Sequence, residues 1–203
     1  MNRLPAWQRA FLQQHRLGID YLDAALQWYA TVTCSIKQLQ HKENRPILVA
    51  INGCQGSGKT TIADYLCTSL IEEQGVNTVR LSLDDFYLTH RKRQTLAALV
   101  HPLFRTRGVP GTHDMRLLRL TLKRLLDIDF NKPIAIPRFN KATDDRYRAP
   151  DWDLVDTPVQ CVLLEGWCIG AMPESADALT QPVNDLERHE DSLALWRKYY
   201  NGF

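Results

Sequence analysis

The chain has 203 residues, with 25 Lys and Arg against 23 Asp and Glu, a net charge of +2, and a hydrophobic content of 44%, enough for one domain with a real core and appendages. The near-neutral balance gives no global field for nucleic acid, and no apolar run approaches bilayer-spanning length, so neither nucleic acid nor membrane is expected as a partner. The five cysteines, odd in number and without paired metal spacing, and an N-terminus lacking a basic-then-apolar signal pattern, predict a reduced, cytoplasmic setting.

Residues 1–45 form an N-terminal helical extension. Ile19, Leu22, Leu26, Tyr29 and Ile36 recur at helical spacing, with Trp28 and Val32 adjoining. This predicts an amphipathic helix of about five turns laid on the core, the alternative being a partner-binding helix. Arg45-Pro46 closes it and releases the chain into a strand.

The organising stretch is residues 47–61, ILVAINGCQGSGKTT. Gly53, Gly58, Lys59 and Thr60 fit G-x-x-x-x-G-K-[ST], and the apolar run 47–51 before them predicts a strand buried on both faces. After them Ile62, Leu66 and Leu70 fall on one helical stripe that Gly75 can end. Strand, loop and helix come in the order a phosphate-cradling loop requires. Its glycines let backbone amides approach a polyphosphate, Lys59 adds a mobile charge, Thr60 can ligate Mg²⁺, and the helix N-terminus faces the same anion. The predicted ATP-binding set is Gly53, Cys54, Gln55, Gly56, Ser57, Gly58, Lys59, Thr60 and Thr61.

Residues 76–83 read as a second strand, with Val79, Leu81 and Leu83 alternating, ending at Asp84-Asp85-Phe86-Tyr87. Ligands of open α/β sheets bind beyond the carboxyl ends of strands, so these acids can meet a metal or a hydroxyl; either can also merely cap a turn. Residues 89–111 hold Arg91, Lys92, Arg93, Arg105 and Arg107 with little apolar periodicity, a solvated loop or a set of cations for an anionic substrate. Asp114 starts a helix whose buried stripe is Met115, Leu118, Leu122, Leu125 and Leu126. Residues 131–158 form a long Pro-, Asp- and Arg-rich loop that reads as a lid, with Arg138, Lys141, Arg146 and Arg148 as candidate contacts. Residues 159–164 are a third strand ending at Glu165, an acid placed to hold Mg²⁺ or water. Residues 186–200 predict one last helix, with Leu193, Trp196 and Tyr200 on one face.

Taken together, GCQGSGKTT, SLDDFY and LLEGW resemble the phosphoribulokinase, uridine kinase and pantothenate kinase group of P-loop small-molecule kinases. SLDDFYLTH, HPLFRTRGVPGTHD, IPRFNKA and LLEGWCIG are most similar to its D-glycerate 3-kinase-like branch, over about residues 46–200. The resemblance implies an α/β P-loop NTPase, a three-layer fold on a parallel sheet. It implies ATP and Mg²⁺ as cofactors and a small-molecule hydroxyl acceptor, anionic if glycerate-like. Asp84 and Lys59 are then the catalytic pair, and Thr60, Asp84 and Glu165 the metal set. Asp85, Tyr87, Arg105, Arg107, His113, Arg146 and Arg148 are the substrate set. Pantothenate or nucleoside kinase, with Phe86, Tyr87 and Phe104 as a stacking wall, is an alternative; a nucleotide-binding regulator without turnover is another. Such kinases have a five-stranded core, whereas only three strong strands are readable here. The expected kinase domain, residues 46–203, therefore lacks its C-terminal strands and leaves the first strand on an open edge.

Overall fold

A computed structural model describes residues 4–203. The chain divides into two compact units, the first made of Met1–Ser82, Leu122–Pro133 and Asp156–Ile169, the second of Leu83–Thr121, Ile134–Val155 and Gly170–Phe203.

The first unit is an α/β layer structure. Strands β1 (Ile47–Asn52), β2 (Thr78–Ser82) and a third that closes the set late in the chain form one parallel sheet. Helices α1 (Ala6–His15), α2 (Asp20–Glu43) and α3 (Lys59–Glu72) belong to the same unit. Ile36, Ile47, Leu66, Leu70, Cys161 and Leu163 bury together, tying α2 and α3 to one sheet face. Phe11, Leu22, Ala25 and Tyr65 make a second apolar cluster that seats α1 and α2 on α3. The stripe of α2 therefore runs through Leu22, Ala25, Thr33 and Ile36, while Ile19, Leu26, Trp28 and Val32 are exposed. The sequence pattern put Ile19 and Leu26 on the packing stripe with Trp28 and Val32 adjoining, because it summed apolar residues over an arc wider than the one α3 and β1 cover.

In the second unit, α4 spans His90–Leu99 and α5, Met115–Leu125, begins within it. Residues expected as an irregular lid instead pair into two short antiparallel ribbons. Strand β3 (Ile134–Ile136) pairs with β6 (Asp153–Val155), and β4 (Phe139–Asn140) with β5 (Asp145–Arg146). The predicted final helix is two helices, α6 (Asp185–Glu190) and α7 (Leu195–Tyr200). Between them Ala194 adopts φ 58°, and the buried Asp191 carboxylate accepts hydrogen bonds from the amides of Trp196 and Arg197 at 2.9 and 3.1 Å. That side-chain cap starts α7 afresh and leaves Leu193 exposed, off the face where Trp196 packs.

The late strand, β7 (Cys161–Gly166), is the central one: the sheet order is β1–β7–β2. All six of its residues are buried, as an apolar strand between two parallel neighbours must be. Strand β1 was expected to be buried on both faces. It alternates instead, with Leu48 and Ala50 exposed, and among the described residues its only strand neighbour is β7. Successive side chains point to opposite faces, and α2 and α3 pack only on the face of Ile47, Val49 and Ile51.

Candidate active site

In the first unit, the sheet register fixes the site. Glu165 on β7 stands level with Ile51 on β1 and Ser82 on β2, so its carboxylate sits at the carboxyl end of the sheet where the loop leaves β1. The amide of Gly53 donates to the carbonyl of Gly166 at 3.1 Å, anchoring the loop's start. Gly56 and Gly58 then adopt φ 77° and 82°, and a Cβ added at either would meet nothing within 4 Å. The left-handed backbone favours glycine at both positions, and the space beside them is open. Cys54, Gln55, Gly56, Ser57 and Gly58 are exposed along this loop, and Thr61 is half-buried in the first turn of α3.

Lys59 is half-buried, and its ammonium donates to the Cys54 carbonyl at 3.5 Å, folded over the loop rather than locked in an ion pair. The Thr60 hydroxyl donates to Glu165 Oε1 at 3.2 Å. Glu165 is only 2% exposed, and its Oε2 is buried without a hydrogen-bond partner. A buried carboxylate oxygen left unpaired costs about 1–3 kcal/mol, so a cation is the natural partner. Thr60 and Glu165 offer hard oxygen donors and no nitrogen or sulfur. That set suits Mg²⁺, which binds through one or two protein oxygens and keeps its remaining positions for water and phosphate.

In the second unit, Asp84 and Asp85 follow Ser82 in a 3₁₀ turn, Leu83–Phe86. They differ in their ties. Asp85 accepts from the Phe139 amide at 3.1 Å and pairs with Arg138 Nη1 at 2.7 Å. Asp84 pairs with the exposed ammonium of Lys141 at 2.6 Å. Asp85 thus fastens β4 through contacts distant in sequence rather than capping its own turn.

The remaining predicted substrate residues differ in burial and in the partners they hold. Tyr87 is buried and stacked on His113, ring centroids 4.3 Å apart. Burial pushes the His113 imidazole down to about 4, against the pull of the Asp84 charge, so it is neutral at physiological pH. Arg146 donates to the Tyr87 carbonyl at 2.7 Å and pairs with Asp114 at 3.5 Å. Arg148 is 85% exposed and pairs locally with Asp151 at 3.3 Å. Arg105 is exposed. Arg107 is half-buried and pairs with Asp144. Phe86 and Phe104 have no exposed surface, so they form no stacking wall.

Sequence reading missed Asp144 and passed over Arg93. Arg93 is fully buried, donating to the carbonyls of Leu88 and Arg105 at 2.5 and 3.4 Å and pairing with Asp144. The available signal was Thr89, whose hydroxyl caps α4 by accepting from the Lys92 amide. A capped helix places Arg93 and Ala97 on one inward stripe.

Comparison with known proteins bears on this arrangement. The family model described as Zeta toxin matches residues 31–103. The "Probable ATP-dependent kinase TDA10" of Saccharomyces cerevisiae is 31% identical over 183 residues, covering 83% of this chain and 60% of that protein. The chloroplastic D-glycerate 3-kinase of Arabidopsis thaliana is 30% identical over 169 residues, covering 78% of this chain and 37% of that protein. Among solved structures, D-glycerate 3-kinase from Cryptococcus neoformans var. grubii superposes with TM-score 0.68 at 27% identity, covering 88% of this chain and 67% of the other. The chain is thus similar to P-loop kinases, those of the D-glycerate 3-kinase-like branch among them. It spans 37% to 60% of the length of these curated kinase relatives. The loop of residues 53–61 and Glu165 on β7 both lie in the first unit, joined by the Thr60–Glu165 hydrogen bond. Among the described residues no helix is long and apolar enough to cross a membrane.

Proposed function

We propose that this chain carries out ATP-dependent, Mg²⁺-assisted phosphoryl transfer to a hydroxyl of a small anionic molecule, with a glycerate-like acid as the favoured acceptor. The observation that carries this reading is the Thr60–Glu165 pair beside a glycine loop open to an anion, with Glu165 Oε2 buried and unpaired. In it, the loop amides and Lys59 hold the polyphosphate, and Thr60 and Glu165 hold the ion. Mg²⁺, when bound, neutralises charge on the phosphate oxygens. Asp84 accepts the proton of the acceptor hydroxyl, and Lys141 orients that carboxylate. Arg107 takes the acceptor's carboxylate, because a guanidinium can hold one through two parallel hydrogen bonds.

The names of two similar proteins, each a D-glycerate 3-kinase, support the choice of acceptor. A nucleoside acceptor has less support, since Phe86 and Phe104 are buried and Tyr87 is already stacked. A nucleotide-binding role without turnover is the second reading, favoured by the single strand neighbour of β1 among the described residues. The exposed thiols of Cys34 and Cys54 suit a reducing, cytoplasmic compartment. Release of ADP, measured against D-glycerate, other small hydroxy acids, pantothenate and nucleosides, tests the proposal. Acceptor-dependent release with hydroxy acids is expected. Release that is the same with and without every acceptor contradicts it.

A further inference from the structure

Two guanidiniums and a histidine of the second unit converge on one carboxylate. Arg93 Nη2 and Arg107 Nη1 each pair with Asp144, one on each oxygen, and His90 Nδ1 lies 3.4 Å from Asp144 Oδ2. Both guanidiniums also lie over the ring of Phe139, each Cζ 5.6 Å from its centroid. The carboxylate bonded to both offsets the repulsion of two like charges over one ring. Burial alone would raise the Asp144 carboxyl, but the hydrogen bond from Arg107 and the charge of Arg93, with His90, outweigh it and hold the carboxyl below its usual range.

The clamp and its occupant are held differently. Arg93 is fixed by the Leu88 and Arg105 carbonyls independently of any carboxylate. Asp144 lies between β4 and β5, two strands of two residues each, with its side chain 35% exposed. It adopts φ 54°, in the left-handed region that Asp and Asn enter more readily than other side chains. A two-guanidinium receptor, one arm of it anchored by carbonyls, is thus filled by a part-exposed carboxylate on a short hairpin.

We propose that Arg93 and Arg107 form a binding site for the carboxylate of a small hydroxy acid, and that Asp144 is an internal occupant which that acid displaces. This rests on the reading of the chain as a kinase for an anionic acceptor, and it adds Arg93 as the second arm and Asp144 as the competitor. The tethered carboxylate acts at a high effective concentration and lowers the apparent affinity for a free one. Specificity follows: an uncharged polyol gains nothing from displacing Asp144.

Calorimetric titration of D-glycerate and of glycerol, without nucleotide, into wild type and Asp144→Asn tests this. Asn keeps the size of the side chain and tolerates the left-handed backbone. D-Glycerate is expected to bind Asp144→Asn about tenfold more tightly than wild type, with glycerol unchanged. Adding Arg107→Ala should abolish the gain. In wild type, saturating D-glycerate should speed amide exchange over residues 139–146, and glycerol should not, which tests the displacement even if the variant fails to fold. Equal or weaker glycerate binding in a folded Asp144→Asn, an equal gain for glycerol, or unchanged hairpin exchange overturns the proposal. No arm uses turnover, so a chain that binds glycerate in this way and never phosphorylates it contradicts the kinase reading and leaves the clamp standing.

Discussion

Replacing Glu165 by Gln should move stability and function in opposite directions. Glu165 is 2% exposed, its Oε1 holds the Thr60 hydroxyl at 3.2 Å, and its Oε2 has no partner. A Gln amide keeps the acceptor for Thr60 and removes the buried charge. Its unpaired NH₂ is left in place of an unpaired anionic oxygen, a smaller penalty. The relief is on the order of 1 kcal/mol, within the range for unsatisfied buried groups. For a chain of this size that raises the melting temperature by about 2–4 °C in the absence of nucleotide. The same change removes the cation's charged ligand, so the Mg²⁺-dependent part of ATP affinity should fall by about tenfold or more. The assays are differential scanning calorimetry without ligand and titration of ATP with and without Mg²⁺. A variant that melts several degrees lower shows that Glu165 is there for the fold. One that melts higher and keeps full Mg²⁺ dependence shows that the ion is held elsewhere.

Further outcomes follow from the same geometry. Lys59→Ala removes a charge-assisted contact of about 2 kcal/mol, so ATP affinity should fall roughly thirtyfold with no change in melting; unchanged affinity in the folded variant removes the phosphate-site claim. Asp84→Asn should keep ATP binding and lose kcat by roughly a hundredfold. Asp85→Asn, which loosens the Arg138 pair and the Phe139 amide, should instead lower stability by about 1–3 kcal/mol; kinetics and melts that reverse this ranking exchange the two roles. His113, pushed down to about 4 from 6.5, is neutral in the fold and protonates in the unfolded chain first. Between those two values the unfolded state binds more protons, so stability falls as pH drops from 6.5 towards 4, by up to about 3 kcal/mol. Denaturant melts of His113→Asn should show a shallower loss over that window, and an identical slope refutes the assignment.

The parts legible in the sequence were those carried by contiguous spacing. The loop of residues 53–61, the acid that ends β7 and the capped start of α5 each need only local backbone geometry, and each lies where the residues indicated. What was hidden depended on partners distant in sequence. Arg93 reads as a solvated charge, yet carbonyls and Asp144 satisfy it in the interior, so α4 shows no apolar stripe. The ribbons of residues 134–155 are too short for alternation to register, and their pairing is set by Asp85 and Arg138. The break between α6 and α7 comes from a side-chain cap at Asp191 that hydropathy cannot see. The edge position of β1 depends on strand order, which an apolar run alone does not encode.

The central claim, transfer rather than mere binding or hydrolysis, is tested most directly by phosphorus NMR of the chain mixed with ATP, Mg²⁺ and D-glycerate. The account predicts a new phosphomonoester resonance that grows one for one with ADP and is absent without the acceptor. Inorganic phosphate appearing in its place, or an unchanged ATP spectrum from protein that binds Mg²⁺ and ATP, would contradict it.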